Sequence, residues 1–332
     1  MPDQTQFSLH YKDDTVKIES SQSVLEALEK AGHKIPNSCR AGLCHSCMMQ
    51  AEDAPPLRSQ QGLSDSQQLQ NFFLSCSCYP QSDMQVNLIG DVSQVQGIVA
   101  EKSMLNDSVL KLRIKVDFKW FAGQYVSVWF DETQGRSYSI ANRYDNDRTI
   151  ELHIKRHELG LVSAWLHDTL EVGEAVTVSK PLGSCFYSDS HADKPILMAA
   201  TGTGLAPLYG IVQEALHRQH SAPIYLYAGA GEPNDLYYVE SLTELSNQVE
   251  NFHYIPVVRR HREQLRHPAL IESDLVDLIK EEYPDLKGWK IFLCGNPEMI
   301  KQVQKHCFFQ GAAITDILMD AFIIEKPKTA DE

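Results

Sequence analysis

The first ninety residues of the chain combine short alternating patterns with one helical pattern. Residues 7–11 and 16–20 alternate apolar and polar side chains around an acidic turn, which predicts a β-hairpin. Residues 24–31 carry apolar side chains at helical spacing, after a serine that suits an N-cap and before a glycine that suits a helix end. Residues 84–89 predict a closing strand, and residues 90–96 predict a linker.

The middle of the chain is dominated by strand patterns with turn residues between them. Strands are predicted at 109–116, 124–130, 149–155 and 175–180. One helical stretch, residues 161–170, interrupts them. Many short strands separated by turns are typical of a barrel, so this region predicts an antiparallel β-barrel.

From residue 195 onward, strands and helices alternate. Strands are predicted at 196–201, 224–229, 252–258 and 290–295, and helices near 205–218, 238–247, 273–282 and 297–310. This alternation predicts a parallel sheet with helices on both faces. The 332 residues therefore divide into three domains, with predicted limits at 1–92, 95–188 and 191–325.

Composition and charge narrow the possible functions. Hydrophobic residues make up 43% and charged residues 22% of the chain, so it can bury a core. The formal net charge of −14 argues against non-specific binding to nucleic acid or to an anionic membrane, and it leaves room for a basic protein partner. The N-terminus lacks the pattern of a secretory signal, and the longest uncharged run, residues 195–213, is broken by glycine and proline. We expect a cytoplasmic protein without a membrane span, whose eight cysteines are ligands, catalytic groups or core residues rather than disulfides.

Four cysteines have the spacing of an iron–sulfur site. Cys39, Cys44 and Cys47 form a C-x4-C-x2-C run, and Cys76 follows after a long gap. This spacing is found in plant-type 2Fe–2S sites, where thiolates converge from a tight loop. Zinc is the alternative, because four cysteines also suit a tetrahedral metal, but structural zinc sites usually have two C-x2-C pairs and this region has one.

Two short motifs in the barrel region suit a bound flavin nucleotide. Residues 136–139 (RSYS) follow a turn, and residues 160–163 (GLVS) open the predicted helix some twenty residues later. The first N–H groups of a helix can bind a pyrophosphate, and an arginine can pair with the same anion. Either motif alone is equally compatible with a surface arginine, a core tyrosine and an ordinary helix start.

A third motif lies between the first strand and the first helix of the last domain. Gly202, Thr203 and Gly204 stand where glycines let the backbone approach a phosphate or a ribose. Pro207 occupies the position of the third glycine in the pattern G-x-G-x-x-G, so the match to that pattern is incomplete.

The cysteine region resembles a known family. The runs 35–47 and 73–80 are similar to the ferredoxin domain of bacterial oxygenase reductases. The resemblance implies a β-grasp domain whose 2Fe–2S cluster is held by Cys39, Cys44, Cys47 and Cys76, and it leaves Cys78 spare. His45 departs from this family, which usually has glycine after the second cysteine, and we expect it to be an exposed loop histidine.

The rest of the chain resembles the ferredoxin–NADP+ reductase superfamily. Segments 121–130, 136–142 and 180–187 are similar to its FAD domain, and residues 202–207 and 293–300 to its nicotinamide domain. The resemblance implies FAD rather than FMN, with Tyr138 covering the flavin ring. The cofactor-binding residues that it implies are Arg136, Ser137, Tyr138, Ser139, His153, Gly160, Val162, Ser163, Gly202, Thr203, Gly204, Pro207, Cys294, Gly295 and Phe322.

Three of the residues singled out by this resemblance are implied to surround the point of hydride transfer: Ser139, Cys294 and Asp320. Asp320 and Phe322 resemble the acid-x-aromatic element found late in these reductases, and the alternative is a short closing strand with one core phenylalanine. For Cys294 the alternative is a buried structural cysteine, which is the commoner fate of a free cysteine.

The choice of nicotinamide nucleotide depends on two loops. Relatives often have an arginine where Gly231 stands, and its absence next to Glu232 favours NADH over a nucleotide with a 2′-phosphate. Arg259, Arg260 and Arg262 follow the third strand and are suited to a pyrophosphate, a 2′-phosphate or solvent alone.

Together the three segments imply an NADH-dependent reductase. Electrons would pass from NADH through FAD and a 2Fe–2S cluster to a one-electron acceptor, the oxygenase component of a multicomponent oxygenase or another redox protein. Alternatives are a reductase for a deoxysugar dehydratase or for free flavin, and an electron-carrier module without nicotinamide activity.

Overall fold

A computed structural model describes residues 6–43, 45–88, 94–131, 134–260 and 269–322 of the chain. The chain falls into two units, Met1–Ser93 and Gln94–Glu332. The first unit has one hydrophobic core, and the second has a barrel core and a core on each face of a second sheet.

The first unit is a mixed sheet covered by one main helix. Its elements in chain order are β1 (Gln6–Tyr11), β2 (Asp14–Glu19), α1 (Val24–Lys30), β3 (Met48–Ala51), α2 (Asp65–Leu69), β4 (Phe72–Leu74) and β5 (Met84–Leu88). The sheet order is β2-β1-β5-β3-β4, with β1 and β5 parallel and the other neighbours antiparallel. Ser23 caps α1 and exchanges hydrogen bonds with Glu26, and Leu25 and Leu28 are buried in the core. The predicted β-grasp domain is confirmed.

The second unit begins with an antiparallel barrel. Its elements are β6 (Gln94–Met104), β7 (Val109–Lys115), β8 (Tyr125–Trp129), β9 (Gly135–Ser139), β10 (Thr149–Lys155), α3 (Leu161–Asp168) and β11 (Ala175–Ser179). The strand order is β10-β7-β6-β11-β8-β9, and a bridge between Ile140 and Leu152 joins the two edges. Alternate residues such as Leu112, Val126 and Val178 fill the interior.

Strand β6 is absent from the four strands that the pattern predicts in this region. Its exposed positions include the apolar Ile98 and Met104, so polarity does not follow burial along the strand, and its pairing with β7 shifts register between Val99 and Glu101. A bulge of this kind breaks the two-residue alternation on which the strand prediction depends.

The last part of the chain forms the predicted parallel sheet between helices. Its elements are β12 (Ile196–Thr201), α4 (Leu205–His217), β13 (Ile224–Ala230), α5 (Val239–Gln248), β14 (Phe252–Val258), β15 (Ile271–Glu272), α6 (Leu275–Glu282), β16 (Lys290–Gly295), α7 (Pro297–Phe309) and β17 (Ile317–Ala321). Ile196, Met198 and Ala200 belong to the core on one face, and Leu197 and Ala199 to the core on the other. Because both faces of β12 are buried, helices cover both sides of the sheet.

The strand order, β15-β14-β13-β12-β16-β17, contains a reversal of direction. The chain builds outward from β12 to β13 and β14, then crosses to add β16 and β17 on the other side of β12. At such a switch point the chain leaves β12 and β16 toward opposite sides of the sheet, which is where α/β sheets form a crevice at the carboxyl ends of their strands.

Helices in the described residues are too short or too polar to cross a bilayer.

A buried charge cluster joins β16 to the segment that leads into β17. The Lys290 ammonium is almost wholly buried and lies 3.4 Å from the Asp316 carboxylate, which also accepts hydrogen bonds of 3.0 Å from Lys194. Burial alone would raise the pKa of Asp316, but the hydrogen bond from Lys194 and the charge of Lys290 lower it below its ordinary value.

We predict that Asp316→Asn lowers the free energy of unfolding by about 2 kcal/mol at pH 7, because it leaves two ammonium groups without their shared carboxylate. Since the folded pKa of Asp316 is depressed, its contribution is complete above the unfolded value near 4 and disappears as the pH falls through the folded value. Denaturant unfolding of both proteins at pH 7 and pH 3 measures this.

Asp277→Asn is the matched control, since Asp277 forms an exposed pair with Lys280 and its loss should cost below about 0.5 kcal/mol. Equal destabilisation by Asp316→Asn at the two pH values would contradict the assignment.

Candidate functional site

The crevice is shaped by two turns that touch backbone to backbone. A Cβ on Gly204, after β12, would lie 2.3 Å from the carbonyl oxygen of Cys294, at the end of β16. A Cβ on Gly295 would lie 2.6 Å from the carbonyl oxygen of Thr201, and the φ of Gly295 is +116°. These two glycines are therefore required by packing, because a side chain at either position would separate the strands.

Gly202 differs from these two glycines. Its φ of +56° lies in the left-handed region, and within the described residues no atom lies within 4 Å of the position of an added Cβ. Thr203, next to it, lines the cavity described below. Pro207 is buried in the first turn of α4, where proline is tolerated because the helix needs no hydrogen bond from its nitrogen.

Parallel pairing brings Asp320 beside Cys294. Residues 294 and 320 are register partners in β16 and β17, and Asp320 lies close to the buried thiol. Ser139, at the end of β9 in the barrel, donates a hydrogen bond of 3.1 Å from its Oγ to Asp320 Oδ2. The three residues implied to surround hydride transfer are thus adjacent, although 181 positions separate Ser139 from Asp320.

The acid in this group is biased toward its protonated form. Burial raises the pKa of the Asp320 carboxyl, and the hydrogen bond from Ser139 only partly opposes this effect. Asp320 is also part of strand β17. The sequence analysis treats an acidic site element and a short closing strand as alternatives, and here one segment is both.

Cys294 is completely buried and does not line the cavity. Its sulfur lies 3.8 Å from the sulfur of Cys185, which follows the barrel. Burial and the hydrogen bond with Cys185 raise the pKa of the Cys294 thiol well above its ordinary value, so it is neutral at pH 7. Its carbonyl oxygen lies against Gly204, so Cys294 stands at the inner end of the crevice.

A cavity of about 840 Å³ opens next to this group. Its walls come from β9, β10, the loop before α3, the β12 turn and the end of β17. The predicted residues that line it are Arg136, Ser137, Tyr138, Ser139, His153, Gly160, Val162, Ser163, Thr203, Asp320 and Phe322. Gly202, Gly204, Pro207, Cys294 and Gly295 lie behind or beside its wall instead.

The start of α3 provides free donors to this cavity. Gly160 is the N-cap, and among the described residues no side chain caps the helix there. The first N–H groups of the helix are then available to an anion such as a pyrophosphate, and the exposed side chain of Arg136 lies at the same cavity. The donor set therefore fits a dinucleotide such as FAD.

Ser163, which lines the cavity, also stabilises the turn before α3. Its hydroxyl donates to the Gly160 carbonyl at 3.1 Å and accepts from the His157 N–H at 3.2 Å. A Cβ on Gly160 would lie 2.5 Å from this oxygen. Ser163 and Gly160 thus form the tight turn that aims the helix, and the serine hydroxyl is already occupied.

Sequence reasoning missed several residues of the cavity wall, among them Tyr125, Lys155, His157 and Glu158. The apolar–polar alternation of β10 could have identified Lys155. Leu152 and Ile154 point into the barrel, so the odd-numbered residues of this strand point out of it. Tyr138 is half-buried, and burial raises its pKa, so it presents a neutral phenol.

The described cysteines of the first unit include a buried pair. Cys47 and Cys76 are buried with their sulfurs 3.2 Å apart, while Cys39 is exposed and accepts an N–H bond of 3.4 Å from Ala41. Burial, followed by the hydrogen bond from Cys47, raises the pKa of Cys76 to about 11, against an opposing backbone bond from Gly42. A bound cation would remove the cost of ionising such thiols, so the donor set fits an iron–sulfur cluster.

Cys44, the remaining predicted ligand, lies outside the described residues, within which no three potential ligands are grouped as a metal site. Cys78 is fully buried, and burial raises its pKa to about 12 against the hydrogen bond from Ser59.

The expectation for His45 is wrong in one respect, since the residue is half-buried rather than exposed. Its φ is +58°, and the left-handed backbone turns the ring onto Gly62, 3.4 Å from the position of an added Cβ there. A left-handed φ at this position also accounts for the glycine usual in the family, because glycine adopts it without strain.

Two acidic residues lie close to Gly231, which follows β13, and the Arg260 N–H donates to the Gly231 carbonyl at 3.2 Å. Its neighbour Glu232 donates its N–H to the Asp235 carboxylate, which lies 3.4 Å from the position of a Cβ on Gly231. Arg259 is paired with Asp274 at 3.1 Å, and Arg260 is exposed. Arg262 lies outside the described residues.

Three family models match successive parts of the chain. Residues 9–81 match the 2Fe–2S iron–sulfur cluster binding domain, residues 96–187 the oxidoreductase FAD-binding domain, and residues 198–305 the oxidoreductase NAD-binding domain. The predicted fold class, with its three cofactors, is confirmed.

Similar proteins share this whole organisation. The reductase subunit of an aromatic O-demethylase from Amycolatopsis is 30% identical, and the match covers 86% of this chain and 89% of that protein. The reductase component of the naphthalene 1,2-dioxygenase/salicylate 5-hydroxylase systems of Ralstonia is also 30% identical, and the match covers 92% of this chain and 95% of that protein. The crystal structure of the Amycolatopsis cytochrome P450 reductase GcoB is similar, with a TM-score of 0.65 and 28% sequence identity. The match covers 95% of this chain and 98% of that one.

The order of the three domains, the shared cavity and these full-length relatives agree, and the chain belongs to the family of NAD(P)H-dependent flavin and iron–sulfur reductases that serve as reductase components of bacterial oxygenases.

Proposed function

We propose that this protein takes electrons from NADH, in the cytoplasm, and delivers them singly to the oxygenase component of a multicomponent mono- or dioxygenase. The observation that carries the proposal is the hydrogen bond of 3.1 Å between Ser139 and Asp320. It joins the barrel that matches FAD-binding domains to the crevice of the sheet that matches NAD-binding domains, beside one cavity.

Each side chain of the site has a proposed task. Arg136 and the first N–H groups of α3 bind the FAD pyrophosphate, and the neutral ring of Tyr138 packs on the flavin. Asp320 accepts the hydrogen bond of the Ser139 hydroxyl at Oδ2 and so fixes the end of β9 against the crevice, and Cys294 keeps water out of the inner end of the crevice. Bound FAD and the 2Fe–2S cluster supply the exchange between a two-electron donor and a one-electron acceptor.

For the cluster we propose the ligands Cys39, Cys44, Cys47 and Cys76. The contact between the Cys47 and Cys76 sulfurs supports two of them, and the N–H bond from Ala41 supports Cys39. Backbone N–H groups that donate to a ligating thiolate stabilise its negative charge.

The named relatives support an oxygenase as the acceptor. They are named as reductases of an aromatic O-demethylase, of a naphthalene dioxygenase system and of a cytochrome P450. The net charge of −14 favours a partner with a basic docking face. We also propose the domain limits 1–92, 95–188 and 191–325.

The ligand assignment predicts different outcomes for two neighbouring cysteines. Cys76→Ser should remove the visible iron–sulfur absorbance, because it removes a ligand, whereas Cys78→Ser should retain it, because Cys78 is a core residue. Absorbance with iron and sulfide analysis of anaerobically purified protein measures both. Equal loss in the two variants, or zinc in place of iron, would contradict the assignment.

The acidic surroundings of Gly231 predict a higher kcat/KM with NADH than with NADPH, because Asp235 and Glu232 disfavour a 2′-phosphate. Gly231→Arg should reduce this preference about tenfold through a charge-assisted contact with the phosphate. Gly231→Ala is the control for the steric effect of a side chain without charge, and it should keep the wild-type ratio of kcat/KM for NADH to that for NADPH. A wild-type preference for NADPH would instead indicate a role for Arg259 and Arg260.

The position of Cys294 predicts a defect confined to hydride transfer. Cys294→Ala should slow flavin reduction by NADH at least about tenfold, because it leaves a void at the inner end of the crevice, while FAD and cluster contents stay unchanged. Stopped-flow absorbance measures the rate. Cys307→Ala, which removes another fully buried thiol of the same sheet domain, should leave the rate unchanged.

Removal of residues 1–92 should leave hydride transfer intact and stop electron transfer beyond the flavin. Flavin reduction by NADH and ferricyanide reduction should persist, while cytochrome c reduction and transfer to the oxygenase should be lost. If the truncated protein folds, holds FAD and is not reduced by NADH, the proposed order of electron transfer is wrong.

A further inference from the structure

Five consecutive residues after β13, residues 234–238, contact the barrel, and we call them the latch loop. The Asn106 side chain, in the turn between β6 and β7, donates to the carbonyl oxygens of Asn234 at 3.1 Å and Leu236 at 3.3 Å. Lys155, on β10, lies 3.9 Å from the Asp235 carboxylate. The barrel therefore holds this loop along its backbone as well as through its charges.

The two tyrosines of the latch loop meet a histidine of the barrel. The Tyr237 hydroxyl lies 3.1 Å from His153 Nδ1, and the rings of Tyr237 and Tyr238 lie 5.2 and 5.5 Å from the His153 ring. Tyr238 has a φ of +58°, and this left-handed backbone lets two successive side chains turn to one face. Such strain persists only where the surrounding contacts hold it.

The direction of each hydrogen bond follows from Glu151. Its carboxylate lies 3.0 Å from His153 Nε2 and accepts from the Tyr238 hydroxyl at 3.4 Å. An ionised carboxylate only accepts, so His153 carries its proton on Nε2, and Nδ1 accepts from the Tyr237 hydroxyl. Burial lowers the pKa of His153, against the effect of Glu151, and keeps the ring neutral.

The latch loop lies between two parts of the site. Gly231 and Glu232, which the proposed function places beside the nucleotide, precede it with only Pro233 between, and His153 lines the cavity proposed for the flavin. A hydrogen bond between Tyr237 and His153 therefore connects the strand that ends at the nucleotide with a wall of the flavin cavity. Hydride transfer depends on placement within about 1 Å, so a connection at this point affects its rate.

We infer that Tyr237, through His153, and Asn106 are positioning residues that hold the nicotinamide nucleotide at the distance from the flavin needed for hydride transfer. The inference rests on the proposed function, because it assumes NADH in the crevice and FAD in the cavity. It concerns the rate of transfer within the bound complex rather than the affinity for either nucleotide.

The test is Tyr237→Phe in the full-length holoprotein. It removes one hydroxyl and keeps the ring, and we expect the limiting rate of flavin reduction by NADH to fall about tenfold. FAD content should stay the same, and the dissociation constant of NAD+, measured by calorimetry, should change less than about threefold, since neither binding surface is altered.

Asn106→Asp tests the same loop from its other end. Asn106 Oδ1 accepts from the N–H groups of Ser108 and Val109, and an aspartate preserves this acceptor while it loses the donor to residues 234 and 236. It should reproduce the slow transfer with unchanged NAD+ binding. The double variant should be less than multiplicative, because both changes act through one loop.

Tyr254→Phe is the matched control. Tyr254 lies on β14 in the same core, and its buried hydroxyl has no hydrogen-bond partner among the described residues. Its removal should leave the rate of flavin reduction unchanged.

Three outcomes would overturn the inference: an unchanged rate in Tyr237→Phe, a rate that falls only in proportion to lost FAD, and a lower NAD+ affinity that accounts for the whole effect. A wild-type protein that holds FAD and is not reduced by NADH would contradict the proposed function itself, and this is separated from the other outcomes because the wild type is measured first.

Discussion

The backbone contact between the turns after β12 and β16 is the constraint on which the site depends. Gly204 lies against the carbonyl of Cys294, and Gly295 lies against that of Thr201, with no room for a Cβ at either position. Because the two turns touch, the crevice at the switch point is narrow and β17 continues the sheet in register. Asp320 then reaches the barrel and meets Ser139.

The barrel contributes through the outward face of one strand. Along β10, Leu152 and Ile154 fill the interior, while Glu151, His153 and Lys155 point toward the cavity and the latch loop. One strand therefore supplies packing on one side and the connection to the sheet domain on the other. The alternation of a β-strand makes this division of tasks possible.

Burial sets the protonation of the groups around the cavity. It raises the pKa of Asp320 and Cys294, and it lowers that of His153. Each shift is in the direction of the neutral form. Arg136 and the start of α3, which we propose as the anion-binding groups, line the same cavity.

The strands with the strongest patterns could be located from the sequence alone. The predicted bounds 149–155, 196–201, 252–258 and 290–295 coincide with β10, β12, β14 and β16, and most of their side chains are buried. In β12 and β16 burial on both faces favours apolar side chains at successive positions, in β10 apolar and polar side chains alternate, and turn residues mark the ends of such strands. Strand β6 contains a register shift and β15 has only two residues, so neither carries such a signal.

The site residues likewise divide into those that local sequence predicts and those that only tertiary contacts bring together. Local motifs predict an anion-binding helix start, a glycine turn and a cysteine loop, because each depends on residues within one short segment. Tertiary structure alone decides that Ser139 meets Asp320, that Cys185 lies beside Cys294, and that Asn106 holds the latch loop. More than a hundred residues separate the partners in each contact. Such pairs form only when packed sheets bring distant segments together, and no local pattern of hydrophobic and polar residues encodes which distant partner each will meet.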